Sequence, residues 1–131
     1  MSRPRISGLT LDTGALLALD QPRKANLMQA RLDELWRRGG TLCIPAGAVA
    51  QAWRSPQQVR LARLIKSSHV DIAVMNLEVA RGIGALCAAT GHLDVIDVHV
   101  VLCARERGHA VVTSDLDDLS RVDPSLVLIR T

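Results

Sequence analysis

The sequence contains no phenylalanine and no tyrosine, and two tryptophans are its whole aromatic content. Because 48% of the residues are hydrophobic, the core has to be built mainly from leucine, valine, isoleucine and alanine. Cysteine is also scarce: Cys43, Cys87 and Cys103 stand far apart, and none has the C-x-x-C spacing of a zinc or redox motif. We interpret all three as small buried hydrophobic residues and expect a reducing, cytoplasmic location.

Long apolar runs are absent as well. No stretch approaches the roughly 20 residues that a membrane span requires, and the N-terminus, MSRPRISGLTLD, lacks the apolar region of a signal peptide. We therefore expect a soluble protein without membrane association. Linkers, repeats and low-complexity tracts are also lacking, so residues 1–131 are predicted to form a single domain. The net charge of +3, carried mostly by arginine, permits attraction to phosphate but is too small to require it.

Apolar runs that suit strands alternate with helical periodicities along the chain. Strands are predicted for ISGLTLD, TLCI, VDIAVM, HAVVTS and LVLIR, and helices for TGALLALD, PRKANLMQARLDELWRRGG, PAGAVAQAWRS, PQQVRLARLIKSS, NLEVARGIGALCAATG and residues 94–107. We expect Pro22 to begin the second helix, Val59 to face the core, and Gly82 and Gly84 to allow close helix packing. This alternation predicts an α/β fold whose parallel sheet is covered by helices on both faces.

Aspartates stand where the predicted strands end. Asp12 closes the first strand and Asp115 the fourth, while Asp94 and Asp97 share a face at the start of the late helix. Because parallel strands end at one edge of a sheet, these carboxylates are predicted to converge there. Like charges this close repel, so either some stay protonated or a divalent cation neutralises them. Oxygen ligands alone favour magnesium or manganese over zinc.

The same acids also allow a purely structural interpretation, and the spacing alone leaves both open. Asp94 and Asp97 suit the start of a helix, and Asp115, Asp117 and Asp118 suit a turn. The remaining aspartates are interpreted as surface or turn acids: Asp20, Asp33, Asp71 and Asp123.

Other chemistries fit the sequence less well. His92, His99 and His109 would allow a metal-free acid–base mechanism with His99 as the best placed, although we favour a structural role for a buried histidine. A haloacid-type phosphatase requires a second aspartate where Gly14 stands. A receiver-type signalling domain requires an aspartate in the middle of the chain, and CIPAGAV offers none.

Four segments, LDTGALLAL, IPAGAVAQAWR, DVIDVHVVLCARERG and AVVTSDLDDL, occur in an order and spacing that resembles a PIN domain. Within that superfamily the chain looks like the toxin component (VapC) of bacterial type II toxin–antitoxin pairs, over nearly its whole length. The resemblance implies a three-layer α/β/α sandwich with a central, mostly parallel sheet of four or five strands. It also implies an endoribonuclease that depends on Mg²⁺ (or Mn²⁺), usually forms a homodimer and is neutralised by a cognate antitoxin.

The resemblance also implies roles for particular residues. It makes Asp12, Asp94, Asp97 and Asp115 catalytic, with Asp12, Asp97 and Asp115 as metal ligands. Thr13 and Ser114 match small hydroxyl positions, and Asp118 matches a more peripheral acid.

One position departs from the family, because Gln51 stands where a glutamate is usual. An amide coordinates a hard cation less strongly than a carboxylate, so Gln51 either weakens metal binding or hydrogen-bonds the acids from outside the coordination sphere. Arg54, predicted on the same helix, would contact substrate phosphate or lie free on the surface. Gln51 also leaves an alternative function open: a degenerate PIN domain that binds RNA or a protein partner without cleavage.

Overall fold

The computed structural model describes residues 6–131. In that range the strands are β1 (Gly8–Leu11), β2 (Thr41–Pro45), β3 (Val70–Ala73), β4 (His109–Thr113) and β5 (Leu128–Arg130). The helices are α1 (Thr13–Ala18), α2 (Ala25–Arg37), α3 (Ala46–Ala52), α4 (Val59–Ile65), α5 (Leu77–Thr90), α6 (Val95–Arg107) and α7 (Leu116–Val122). Each predicted strand and helix is present, and α7 was not predicted.

The strands form one sheet in the order β3-β2-β1-β4-β5, and each neighbouring pair is parallel. Helices α1 to α4 pack on one face and α5 to α7 on the other, so that two hydrophobic clusters flank the sheet. The predicted three-layer α/β/α sandwich is confirmed, and among residues 6–131 its sheet is parallel throughout.

Alternating side chains along the central strands supply the two clusters. Leu42 and Ile44 of β2 are buried with α1 to α4, whereas Cys43 between them points to the opposite face. In the same way Val112 of β4 belongs to the first cluster and Val111 to the second. Because both faces are covered, these strands are continuously apolar.

Helices α5 and α6 have well-defined ends. The Asn76 side chain accepts a hydrogen bond from Val79 N (2.9 Å) at the start of α5, which stops at Gly91 with a φ of 72°. Asp94 caps α6 in the same way, and α6 stops at Gly108 with a φ of 66°. These ends agree with the predictions. The β-branched segment of α6 is helical because its polar residues cluster at the two ends of a 13-residue run whose middle is buried.

Four details of the predictions are wrong. Helix α2 begins at Ala25 and not at Pro22, because a turn precedes it. Val59 is 54% exposed, and Leu61 is the buried residue of α4. A Cβ on Gly84 would meet nothing within 4 Å and one on Gly82 would make only an ordinary contact, so neither glycine serves close packing.

Asp123, interpreted as a surface or turn acid, does stand at the turn after α7, where it accepts from Ser125 N at 2.9 Å, but it is not on the surface. Its side chain is buried and accepts two hydrogen bonds from the Arg105 guanidinium, at 3.1 and 3.0 Å. Asp20 also has a specific partner, since it accepts from the backbone N–H groups of Arg60 and Leu61 and caps α4.

No single helix among residues 6–131 is long and apolar enough to cross a membrane, although α5 and α6 together, bent by 105°, would pass by length and composition. Of the cysteines, Cys43 and Cys103 are buried as predicted, and Cys87 is only partly buried.

Candidate metal centre

The acids gather where the direction of strand addition changes. From β1 the chain adds β2 and β3 on one side, then crosses to β4 and β5 on the other. Asp12 follows β1 and Asp115 follows β4, and these strands are neighbours. In open α/β sheets this switch point at the carboxyl ends of the strands is the usual ligand-binding crevice.

Asp12 is built into the start of α1. Its Oδ1 accepts a hydrogen bond from Ala15 N at 2.8 Å, so Asp12 itself caps the helix and the neighbouring Thr13 does not. Burial raises the pKa of Asp12, although the Thr113 hydroxyl and nearby backbone N–H groups oppose the shift. The carboxyl is 4% exposed.

Asp97, Asp115 and Asp118 form the tightest acidic group among residues 6–131, with one carboxylate oxygen from each lying within 4.8 Å of the others. Burial raises the pKa of Asp97, and so do the charges of Asp94 and Asp115, against the lowering effect of His92. Burial raises the pKa of Asp115 too, and its contact with Asp118 adds to this. The raised pKa values of Asp97 and Asp115 show that burial and neighbouring acids disfavour the charged form of both carboxylates.

This donor set fits a hard divalent cation, because it consists of carboxylate oxygens that ionise more easily once a positive charge lies between them. The group shares Asp97 and Asp115 with the predicted ligands and adds Asp118. Asp12 lies outside this group, its charge raises the pKa of Asp115, and its role as a metal ligand stays a prediction. Asp94 uses Oδ1 to accept from Ile96 N and Asp97 N at 3.0 and 3.1 Å.

A local signal for Asp118 was present in the sequence. Asp115 is the N-cap residue of α7 and Asp118 lies three residues further on, at the end of the first turn. An acid at the cap and another three residues later is a pattern typical of a helix start, and it places both side chains at the same helix end. Recognising α7 would have brought Asp118 next to Asp115.

His92 is the histidine that contacts the acids. Its Nε2 lies 3.2 Å from Asp97 Oδ2, and both side chains are about four-fifths buried. His99, expected to be the best placed, is buried at 2% exposure elsewhere along α6. His109 lies at the opposite edge of the sheet, between the hydroxyls of Thr10 (3.1 Å) and Thr41 (2.8 Å).

Three residues that were expected beside the acids, Thr13, Gln51 and Arg54, make hydrogen bonds to other groups of the chain. The Thr13 hydroxyl donates to Gln51 Oε1 at 2.6 Å and so ties α1 to α3. Arg54 lies beyond the end of α3, so its predicted place on the Gln51 helix is wrong. Its guanidinium Nη1 donates to the carbonyls of Trp53 (2.7 Å) and Ala50 (3.3 Å).

Gly14 lets α1 approach the end of β4. A Cβ at this position would overlap the Ser114 hydroxyl and touch Asp12 Oδ1. The absence of a side chain at Gly14 therefore lets Asp12 and Ser114 lie on neighbouring backbones.

The larger clefts lie away from the acids. One, of about 720 Å³, is lined by Trp36, Arg60 and Arg63 beside the amino ends of β2 and β3. Another, of about 950 Å³, is lined by Gly8, Arg31 and Ala110 beside the amino ends of β1 and β4. The acids occupy the opposite edge of the sheet, so they line neither of these two clefts.

The fold and its switch point define a class of α/β domain with an acidic edge, and comparison with solved structures identifies the fold more closely. FitAB bound to an IR36 DNA fragment matches with a TM-score of 0.65 and 16% identity, over 93% of this chain and 94% of that one. VapC20 of Mycobacterium tuberculosis, a sarcin-ricin loop cleaving toxin, matches with a TM-score of 0.68 and 14% identity, over 95% of this chain and 100% of that one. FitAcB from Neisseria gonorrhoeae matches with a TM-score of 0.61 and 17% identity, over 92% of this chain and 96% of that one.

The particular fold is the PIN-like fold shared with VapC and FitB, as the sequence resemblance implied. No family model and no curated protein matches the sequence.

Proposed function

We propose that this chain is a metal-dependent endoribonuclease toxin that cleaves RNA phosphodiester bonds. The observation that carries this proposal is the group of Asp97, Asp115 and Asp118 at the switch point of a PIN-like fold. The similarity to VapC20, a toxin that cleaves the sarcin-ricin loop, supports a structured RNA as the substrate class.

In this proposal Asp97, Asp115 and Asp118 hold Mg²⁺ or Mn²⁺, and Asp12 acts through its charge or through a water molecule. The bound ion would polarise the attacking water and offset charge on the scissile phosphate. His92 holds the Asp97 carboxylate in one orientation through the 3.2 Å contact. Asp94 keeps the start of α6, and with it Asp97, beside β4. Thr13 and Ser114 border the site on the Asp12 side.

The partners follow from the same proposal. RNA is the substrate, a cognate antitoxin neutralises the toxin, and both would meet it in the cytoplasm. Arg60 and Arg63 of α4, with Lys66 directly after the helix, offer positive charge for either, but the net charge of +3 makes it a weak attraction.

We also propose a homodimer, formed through the outer face of α5. In this 14-residue helix Ile83 is the one buried residue, and the face it leaves outside is rich in alanine and glycine. Two exposed leucines flank this helix: Leu77 at its start is 66% exposed, and Leu93, two residues beyond the Gly91 that ends it, is 87% exposed. A second copy of the same face would cover them, as self-complementary dimer surfaces do.

The alternative is a degenerate PIN domain that binds RNA or a protein partner without cleavage. Gln51 favours it, because its amide oxygen accepts a hydrogen bond from Thr13 and supplies no negative charge. The two functions differ in one property, which is metal-dependent cleavage.

The test is an RNA cleavage assay with the purified chain, a sarcin–ricin loop hairpin and a second structured RNA, in Mg²⁺ or Mn²⁺. Asp97→Asn and Asp115→Asn should each lower the rate by at least ~100-fold, since each removes a charged ligand. Asp117→Asn, an exposed acid on the same helix as Asp118, is the matched control and should cleave normally.

Cleavage that survives EDTA or the Asp115→Asn substitution would refute the metal mechanism. Binding of RNA with no cleavage in any metal would favour the degenerate domain instead.

The dimer is tested by sedimentation velocity on Leu93→Asp. The wild type should sediment as a dimer and the variant as a monomer, because a charge at a buried interface is costly. Leu27→Asp, at a half-exposed leucine of α2 (49%), is the control and should stay dimeric. A wild-type monomer at micromolar concentration would contradict the proposal.

A further inference from the structure

Two cysteines that are distant in sequence meet between the sheet and α6. Cys43 of β2 and Cys103 of α6 are 0% and 3% exposed, and together with Ala73 they form a small buried cluster apart from the two main ones. Cys87, the third cysteine, belongs to α5 and packs against the main cluster between the sheet and helices α5 to α7. The tertiary fold therefore selects one pair of thiols out of the three.

Regular backbone periodicity produces this pair. Alternation along β2 turns Cys43 away from Leu42 and Ile44 and toward α6. On α6, His99 and Arg107 lie one turn before and one turn after Cys103, on the same side of the helix. The two sulfur atoms thus face each other beside an imidazole and a guanidinium.

The surroundings favour a thiolate at Cys103. The Cys43 thiol donates toward the Cys103 sulfur and lowers the pKa of Cys103, and His99 and Arg107 lower it further against the effect of burial. The pKa of Cys43 is raised correspondingly, so Cys43 keeps its proton. Nδ1 of His99 is buried without a hydrogen-bond partner.

We propose that Cys43 and Cys103 are a redox-sensitive pair that forms a reversible disulfide when the protein meets a hydroperoxide. The packed geometry of the two thiols, with His99 and Arg107 around Cys103, is what sets them apart from Cys87. This site is independent of the proposed ribonuclease activity.

The chemistry balances with hydrogen peroxide as the oxidant. The Cys103 thiolate attacks one peroxide oxygen, so an S–O bond forms, the O–O bond breaks, and the departing hydroxide takes up a proton to become water. Cys43 then attacks the Cys103 sulfur, an S–S bond replaces the S–O bond, and the Cys43 proton leaves with the oxygen as a second water. Both sulfurs are oxidised and both peroxide oxygens are reduced. A thiol reductant reverses the bond by exchange.

The bond would join β2 to the helix that carries Asp97. Both residues lie in the interior, so the reaction requires a small oxidant or a brief local opening, which hydrogen peroxide satisfies because it is close to water in size. Large alkylating reagents should react slowly with Cys43 and Cys103 in the folded protein and faster with Cys87.

The test is an intact-mass measurement on the wild-type chain, treated with hydrogen peroxide, then unfolded and labelled with N-ethylmaleimide. The reduced chain, with its 3 cysteines, should take up three labels, and the oxidised chain one, on Cys87. Peptide mapping should find a Cys43–Cys103 cross-link that disappears after dithiothreitol. Cys87→Ser is the matched variant and should form the same cross-link.

Three labels after oxidation, a link that includes Cys87, or direct conversion of Cys103 to sulfinic acid would each overturn the proposal. These readouts need no substituted core residue, so a failure to fold cannot imitate them. As a second measurement, Cys43→Ala should divert Cys103 to sulfenic or sulfinic acid, which the same mass spectrum detects.

Discussion

At the scale of single residues, the acids of the switch point divide by their partners. In Asp12 and Asp94 a carboxylate oxygen accepts the hydrogen bonds that cap a helix. In Asp97, Asp115 and Asp118, one carboxylate oxygen of each lies within 4.8 Å of the others. Residue type and spacing predicted that these acids converge. They did not predict which of them faces the common centre, because that depends on the rotation of two helices about their axes.

Gln51 gives the sharpest prediction at this scale. Gln51→Glu keeps the acceptor that the Thr13 hydroxyl uses and adds a negative charge beside the acids. We expect Mn²⁺ affinity, measured by titration calorimetry, to rise about 5- to 50-fold, in line with the loss of 10- to 100-fold typical when outer ligands are removed. Gln51→Ala is the control and should leave the affinity near that of the wild type. Equal affinities for the Glu and Gln forms would show that residue 51 lies outside the metal's reach.

At the scale of elements, α6 and α7 build the site between them. The Asp94 side chain caps the start of α6, and Asp115 stands at the N-cap position of α7, two residues after the end of β4. Arg105 near the end of α6 joins Asp123 at the end of α7 through two hydrogen bonds. This link keeps the two helices in the register that brings Asp97 and Asp118 together.

Asp123→Asn tests the link. Burial alone would raise the pKa of Asp123, but hydrogen bonds from Ser125 and Arg105 lower this pKa below its ordinary value. The carboxylate therefore stabilises the fold above about pH 4, and this contribution is lost as the pH falls through the lowered pKa. We expect the variant to lose about 2 kcal/mol of unfolding free energy at pH 7, measured in urea, as is usual for hydrogen bonds to a charged group.

The difference between Asp123→Asn and the wild type should shrink on acidification below about pH 4. Asp117→Asn, at an exposed acid, should change stability by less than about 0.5 kcal/mol. A constant difference across the acid range would mean that shape rather than charge makes the contribution of Asp123.

At the scale of the whole molecule, the acidic edge opposes the stability of the fold. The pKa values of Asp12, Asp97 and Asp115 are raised, mainly by burial. For an acid whose pKa is raised in the folded state, stability changes with pH in the opposite direction to that for Asp123. The folded state loses stability as the pH rises from about 4 through the raised pKa. A bound divalent cation would offset this penalty.

Asp97→Asn should therefore unfold at a higher temperature than the wild type at pH 7 without divalent ions, and the gap should close near pH 4 or below. Adding MnCl₂ should raise the melting temperature of the wild type more than that of the variant. Calorimetry at several pH values measures both effects. A variant less stable than the wild type at pH 7 without metal would contradict the penalty on the charged Asp97 carboxylate that its raised pKa indicates.

The sequence by itself determined the layers, the strand positions and the ends of α5 and α6. These follow from apolar periodicity, caps such as Asn76 and stops such as Gly108, all of which are local properties of the chain. It also predicted that acids collect at one edge, because parallel strands end together. Only the tertiary structure decided that Asp118 joins Asp97 and Asp115, that His92 contacts them, and that Cys43 meets Cys103. Each of these contacts joins residues on different elements or across a turn, and packing sets the helix rotation and strand order that create them.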